Sequence, residues 1–391
     1  MVHTRTMSCL LVLSLAVLTR VVAALDCAPQ CRCYGNTTDC SHGVLTEFPR
    51  IQLIPSSTEI LLMNYNRISE VRRSPRLPNL LELNLEDNSI TGLTRLGIFI
   101  HNPNLQVLRL GGNVISTVPA SAFLWLSQLV RLFLNRNTIE TITAFGSNSF
   151  VGSLKMLDLQ DNKLTSIGIG TFTGVSLLTE LNLSSNNIST IEDGSFSHLK
   201  ELRVLYLHSN HIGALNDATF LGMPALTRLT LGHNKIQTLP DMTFTGSTNL
   251  EFLDLSFNDI STVPRTAFSG LYNLTTLLLD RNNISSIEDG AFGDLVKLQS
   301  LVLRDNALHN MSASTFTTPD LLELDLAENS LAAVRREDFA RLTKLKYLHL
   351  HGNVITRVED GSFANLNNLL VLEIFGNRLT SVSAATFEGT Q

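Results

Sequence analysis

The sequence predicts an α/β solenoid built from stacked short turns, and three observations carry that prediction. An asparagine recurs at Asn66, Asn88, Asn113, Asn137, Asn162, Asn186, Asn210, Asn234, Asn258, Asn282, Asn306, Asn329, Asn353 and Asn377, fourteen times, and nine of the thirteen intervals are 24 residues. Each asparagine ends the pattern L-x-x-L-x-L-x-x-N-x-I/L, as in Leu202 to Ile212 (LRVLYLHSNHI), Leu226 to Ile236 and Leu250 to Ile260. Ten positions further on stands a phenylalanine in most turns: Phe123, Phe172, Phe196, Phe220, Phe244, Phe268, Phe292, Phe316, Phe339, Phe363 and Phe387. A fixed period of this length is the signature of supersecondary units that cannot bury their apolar faces alone and do so by stacking.

Each recurring position has a physical task. The leucines two residues apart point to one face of a short strand, and the aliphatics around them complete an inward set. The asparagine amide, with two donors and an acceptor, can satisfy backbone groups that the turn leaves unpaired, so the fourteen should form a ladder. The phenylalanines should stack as a second, outer spine of core packing. Two turns depart from the pattern. The Asn66 turn is 22 residues long and carries Arg72-Arg73-Ser74-Pro75-Arg76 where the phenylalanine belongs. In the Asn137 turn the spine position is Ser147, with Phe150 three residues late.

Composition agrees with a large core: 44% of the 391 residues are hydrophobic and 16% charged. A net charge of −6 leaves no basic face for phosphates and argues against nucleic acid. At the N-terminus, Arg5, an apolar run from Cys9 to Leu18 and Val22-Ala23-Ala24 read as a signal peptide over residues 1–24, cleaved after Ala24. The run is too short to span a bilayer. Cys9 leaves with that segment. Cys27, Cys31, Cys33 and Cys40 are then four clustered cysteines in an exported chain, which points to two disulfides in any of three pairings. A four-thiolate zinc site fits an oxidising compartment poorly.

The repeats, with Cys27-Ala28-Pro29-Gln30-Cys31-Arg32-Cys33, Cys40 and the apolar stretch to Pro55, are similar to the extracellular leucine-rich-repeat family in its 24-residue form. The resemblance covers nearly everything after the signal peptide, and among members the cap and repeats look most like Slit, Toll-like receptors and the acid-labile subunit. The cap spacing also resembles decorin-type proteoglycans. It implies a right-handed leucine-rich-repeat horseshoe with a parallel sheet on the concave face. It also implies an N-terminal cysteine-rich cap over residues 25–56, with Cys27 paired to Cys33 and Cys31 to Cys40, and about fourteen turns over 57–391. The family's closing cysteine cap is not found before Gln391, so the expectation is a fragment whose membrane anchor, if any, lies further on.

No nucleophile elbow, phosphate-cradling loop or zinc-protease helix occurs, so no enzyme and no cofactor are expected. His349 and His351 alternate onto one strand face with Asp325 and Glu373 in flanking turns. Two imidazoles between carboxylates can hold zinc, but such groups more often decorate a solvated surface, and the expectation is no metal. The position between the two core leucines is left free by the repeat; it runs Arg109, Phe133, Asp158, Asn182, Tyr206, Thr230, Asp254, Leu278, Val302, Asp325, His349, Glu373. Aromatic, arginine and acidic side chains on this face suit protein recognition. The expected ligand-binding set is Arg109, Phe133, Asp158, Tyr206, Phe252, Asp254, Phe257, Asp325, Tyr347 and His349. Sequons at Asn36, Asn182, Asn187, Asn273, Asn283 and Asn310 are candidate glycan sites, the one at Asn182 standing on the strand face. The expected partner is an extracellular protein, for a secreted or cell-surface recognition module. The alternative is a matrix component binding collagen or a glycosaminoglycan, to which the basic run at Arg72 to Arg76 would contribute.

Overall fold

A computed structural model describes residues 27–72, 74–93, 98–119, 121–143, 145 and 151–387. The expected signal peptide at 1–24, Ser147 and Phe150 lie outside them. The chain divides into two compact units, residues 1–144 with 148–154, and residues 145–147 with 155–391.

In the first unit Arg32–Tyr34 pairs antiparallel with Thr37–Asp39. That strand then pairs in parallel with Ile60–Leu62, and the sheet continues through Glu82–Asn84, Val107–Arg109 and Arg131–Phe133. Disulfides join Cys27 to Cys33 and Cys31 to Cys40, closing the hairpin on itself and on the segment that leads into it. Behind it the Thr38 and Thr58 hydroxyls, both buried, meet at 2.8 Å.

The second unit is a parallel sheet of three-residue strands in strict register. It runs Met156–Asp158, Glu180–Asn182, Val204–Tyr206, Arg228–Thr230, Phe252–Asp254, Thr276–Leu278, Ser300–Val302, Glu323–Asp325, Tyr347–His349 and Val371–Glu373. The central leucine of each strand from Leu157 to Leu348 is completely buried. Away from this sheet, two-residue strands pair between neighbouring turns, as Ser166–Ile167 with Thr190–Ile191 and Thr262–Val263 with Ser286–Ile287. The described residues contain no α-helix; the chain returns through turns and two 3₁₀ segments, Ile51–Leu53 and Ala384–Phe387.

The strands are short because the backbone reverses at a fixed place. The residue immediately before each ladder asparagine has positive φ, between 51° and 69°, in all fourteen turns. Only three of these residues are glycine, Gly112, Gly352 and Gly376; the others include Tyr65, Arg136, His233 and Phe257. A non-glycine residue held there costs roughly 1–2 kcal/mol. The asparagine that follows offsets that cost. Asn210 Nδ2 donates to Leu183 O (3.0 Å), Leu207 O (3.0 Å) and His208 O (3.4 Å), and its Oδ1 accepts the Ile188 amide at 3.0 Å. The same four-bond set recurs at Asn186, Asn234, Asn258 and Asn353, so each amide stitches its own turn to the one before.

The phenylalanine spine stacks: Phe220 on Phe244 at 5.7 Å, Phe244 on Phe268 at 6.3 Å, Phe268 on Phe292 at 6.0 Å and on through Phe387. Where the ten-residue spacing fails, other side chains fill the space. In the Asn88 turn Phe99 is fully buried, and in the Asn137 turn Phe145 is, two residues before the expected register. In the Asn66 turn the expected spine position is the exposed Arg76, and a buried polar pair lies close by in the chain. Ser74 Oγ bonds to buried Asn102 Oδ1, and Asn102 Nδ2 reaches Pro75 O at 3.0 Å. The Arg72–Arg76 stretch is therefore anchored at its centre, with Arg72 and Arg76 exposed on either side.

Replacing Asn234 by alanine orphans the Ile212 amide, whose partner is Asn234 Oδ1. The expected loss is on the order of 1–3 kcal/mol, read as faster hydrogen exchange at Ile212 and its neighbours. Asn234→Asp should cost more at neutral pH, since a carboxylate oxygen would face the Leu207 and Leu231 carbonyls that Nδ2 now serves.

Candidate functional site

Alternation along a strand leaves the first and third residues of each triplet outward, and strict register turns these into columns. In the second unit the third-position column is Asp158, Asn182, Tyr206, Thr230, Asp254, Leu278, Val302, Asp325, His349 and Glu373, as hydrogen-bonded neighbours in that order. In the first unit Arg109 and Phe133 are register partners. Of the expected binding residues, Tyr347 is exposed and the others are half-buried.

The acids of this column prove to be tied to the chain. Asp158 Oδ1 accepts the Gln160 amide at 3.0 Å, Asp254 Oδ1 the Ser256 amide at 2.9 Å and Asp325 Oδ1 the Ala327 amide at 2.9 Å. Asn84 and Asn182 do the same with Glu86 and Ser184. A short carboxyl or amide here caps the strand's exit into the left-handed corner, a local side-chain turn favoured by Asp and Asn. Burial pushes the Asp158 carboxyl above the usual range, against the lowering effect of the Gln160 amide. These three acids hold the turn before they can serve a ligand.

What remains outward is largely apolar and aromatic. Val204, Tyr206, Arg228, Phe252, Leu278 and Val302 occupy adjoining positions on five consecutive strands. The Arg228 guanidinium lies over the Phe252 ring at 3.7 Å from its centroid. In the first unit Arg109 covers Phe133 at 4.4 Å and bonds Glu82 at 2.8 Å. Both rings thus have a face occupied by a cation, which fixes their orientation without desolvating them fully. Arg228 was missed by sequence reasoning, although Phe252 and Tyr347 were taken from the same first-position column; the pairing Arg228↔Phe252 was recoverable from the 24-residue offset.

Phe257 lies elsewhere. It is the positive-φ residue of its corner, past the strand end, stacked on His233 of the preceding turn at 3.9 Å and 4.6 Å from the Arg281 guanidinium of the following one. Arg281 continues to Asp305 at 3.8 Å. This file of corner side chains borders the sheet instead of lying on it.

At the far strands His349, His351 and Glu373 converge. His349 Nδ1 is 2.8 Å from Glu373 Oε2, and His351 Nδ1 is 3.3 Å from the same oxygen. The hydrogen bond with His349 holds the Glu373 carboxyl below the usual range, helped by the charge of both imidazoles. Asp325, the register partner of His349 on the other side, keeps its Oδ1 on Ala327.

The family model described as Leucine rich repeat matches residues 152–212, 200–260, 253–308, 296–355 and 344–391, an unbroken stretch over more than half of the chain. The chain belongs to the leucine-rich-repeat family. A further leucine-rich-repeat model matches residues 101–124. Among related sequences, human leucine-rich repeats and immunoglobulin-like domains protein 3 is 32% identical over 155 residues, 39% of this chain and 13% of that protein. Zebrafish (Danio rerio) leucine-rich repeat-containing protein 3B is 43% identical over 68 residues, 17% of this chain and 25% of that one. The chain thus matches only a minor part of these relatives' length. Among solved structures, a Leptospira interrogans leucine-rich-repeat protein aligns over 90% of this chain and 88% of its own, with TM-score 0.75 and 25% identity. The leucine-rich repeats of FLRT2, solved in an octameric complex with Latrophilin 3 and Unc5D, align over 74% of this chain and 86% of theirs, with TM-score 0.64 and 26% identity.

Because the folded-state pKa of Asp158 is raised, the folded repeat favours its protonated form, and stability falls as pH rises from the unfolded value toward neutrality. Asp158→Asn retains an acceptor for Gln160 and removes the buried charge. Its melting temperature should exceed wild type at pH 7, and the gain should vanish as pH falls to about 4, where the unfolded carboxylate titrates.

Proposed function

We propose that this leucine-rich-repeat chain is an extracellular, non-catalytic recognition module that binds a protein partner through the outward sheet face of the unit containing residues 155–391. The observation that carries the reading is the patch formed by Tyr206, Arg228, Phe252, Leu278 and Val302, aromatic and aliphatic side chains around a positioned arginine, on an open sheet. Aromatic residues and arginine dominate the binding energy of protein interfaces, and rigid ones lose little entropy on docking. The core leucines cannot contribute, being buried; of the turn-holding acids, Asp158 and Asp325 lie beyond the ends of the patch, and Asp254, register partner of Thr230 and Leu278, stands within it. FLRT2, the repeat protein solved with two further proteins, is a precedent for this use of the fold. Catalysis would call for a water-excluding cleft, whereas a row of strands presents its side chains side by side to solvent.

Export through the segment at residues 1–24 is part of this reading, as are glycans at exposed sequons. Asn36, Asn187, Asn283 and Asn310 are exposed. Asn182 and Asn273 are half-buried, and their amides are engaged: Asn182 Nδ2 on Gln160 Oε1 at 3.2 Å and Asn273 Nδ2 on Thr248 O at 3.0 Å. A sugar on Asn182 would stand two strands from Phe252's neighbour Arg228 and crowd the patch. Expression in a secreting eukaryotic host followed by site mapping should find glycans at the four exposed sequons, with Asn182 bare.

A panel of secreted proteins and receptor ectodomains, tested against the immobilised chain, should yield a saturable protein partner. Tyr206→Ala and Phe252→Ala should each weaken it by about 2 kcal/mol or more, roughly thirtyfold, while Lys344→Ala, away from the sheet face, leaves it unchanged. Association only with heparin or collagen, lost on adding salt, would replace this reading with a matrix role.

A further inference from the structure

His349, His351 and Glu373 form a group that the recognition face does not use and that the sequence alone left as surface decoration. His349 ends its strand and His351 follows two residues later, so both imidazoles leave the same side of the chain. Glu373 arrives from the next turn as the register partner of His349. Their nearest donor atoms, one from each residue, all lie within 4.8 Å of one another. Two of the separations are already 2.8 and 3.3 Å. A tetrahedral zinc ion with bonds of about 2.0–2.2 Å holds its donors roughly 3.3–3.5 Å apart, so small side-chain rotations suffice to admit one.

A second observation separates this group from an ordinary histidine–carboxylate pair. The Nδ1 atom of His351 is buried and has no hydrogen-bond partner; it approaches Glu373 Oε2 within ion-pair distance but out of line for a hydrogen bond. A buried imidazole nitrogen without a partner is costly unless something engages its lone pair. The plane of the ring is set by its stack on Phe375 at 4.7 Å, with an interplanar angle of 7°, and it meets His349 edge-on at 6.3 Å. One imidazole nitrogen therefore lies against a carboxylate oxygen that a second imidazole also touches.

We propose that His349 Nδ1, His351 Nδ1 and Glu373 Oε2 bind one zinc-type divalent cation. Two nitrogen donors and one oxygen select a borderline transition-metal ion over calcium or magnesium, which take oxygen ligands. Three protein ligands leave one coordination position for water or for a donor from outside the chain. The inference stands apart from the protein-binding reading, because the ion needs no partner.

Titrating untagged, metal-free full-length chain with Zn2+ by calorimetry, and with Co2+ by visible spectroscopy, should give one equivalent bound at this site, with four-coordinate Co2+ bands that Zn2+ displaces. His349→Ala, His351→Ala and Glu373→Gln should each weaken uptake by about tenfold or more, a loss of the size that even outer-shell changes cause at zinc sites. His198→Ala, an exposed histidine outside the group that leaves all three donors in place, should match wild type. In the wild-type chain, Zn2+ should protect His349 and His351, ahead of the other histidines, from carbethoxylation mapped by mass spectrometry; this arm holds even if a variant misfolds. Uptake unaffected by His351→Ala, or no saturable uptake with no protection of these two histidines, overturns the proposal.

Discussion

The structure depends on one coupled constraint: the asparagine amide that links consecutive turns, and the left-handed residue in front of it. Neither is favourable alone. The left-handed corner strains eleven non-glycine residues, and a buried amide without partners would be a liability. Together they close. The corner turns the chain so that the asparagine points inward, and the amide then bonds backbone groups of two successive turns, as Asn210 does with Leu183, Leu207 and Ile188. With a net value of about 1 kcal/mol per hydrogen bond, several bonds per turn outweigh one strained residue. The leucines supply the larger apolar term, but they do not by themselves fix where the strand stops.

That constraint decides which residues are free to act. A strand stopped after three residues presents two outward side chains, and the next outward position is already beside the corner. The residue before the corner is often recruited to hold it, as the Asp158, Asp254 and Asp325 carboxylates show by accepting amide protons two residues on. Acidity on this face is therefore partly a structural demand of the turn. The aromatic and aliphatic side chains at Tyr206, Phe252, Leu278 and Val302 satisfy no such demand.

Much of this was legible in the sequence, because the repeat writes the same physics fourteen times. The leucine core, the asparagine ladder, the phenylalanine stack and the third-position column could be read from spacing alone, and the register pairs of the sheet follow that spacing residue by residue. What spacing hides is direction within a corner. Phe257 looked like an exposed strand aromatic, but its backbone is left-handed, and its ring packs between His233 and Arg281 along the sheet's border. Compensation was hidden too. Nothing in the run Arg72 to Arg76 announces that Ser74 is buried and bonded to Asn102, 28 residues away. Phe99 and Phe145 fill the spine from shifted positions because local chain length differs there.

The histidines near the last described strands illustrate the same limit from the functional side. Alternation put His349 and His351 on one side of the chain, and the 24-residue offset put Glu373 next to His349. Neither rule could say whether His351 points at that carboxylate or away from it. Phe375, two residues beyond Glu373, lies flat against His351 and sets its plane, and within that plane Nδ1 stands 3.3 Å from the carboxylate. Position in a repeat sets which backbones are neighbours, while a single packed ring sets which lone pairs meet. In a solenoid, where backbones repeat and only outward side chains vary, new chemistry enters through that second step.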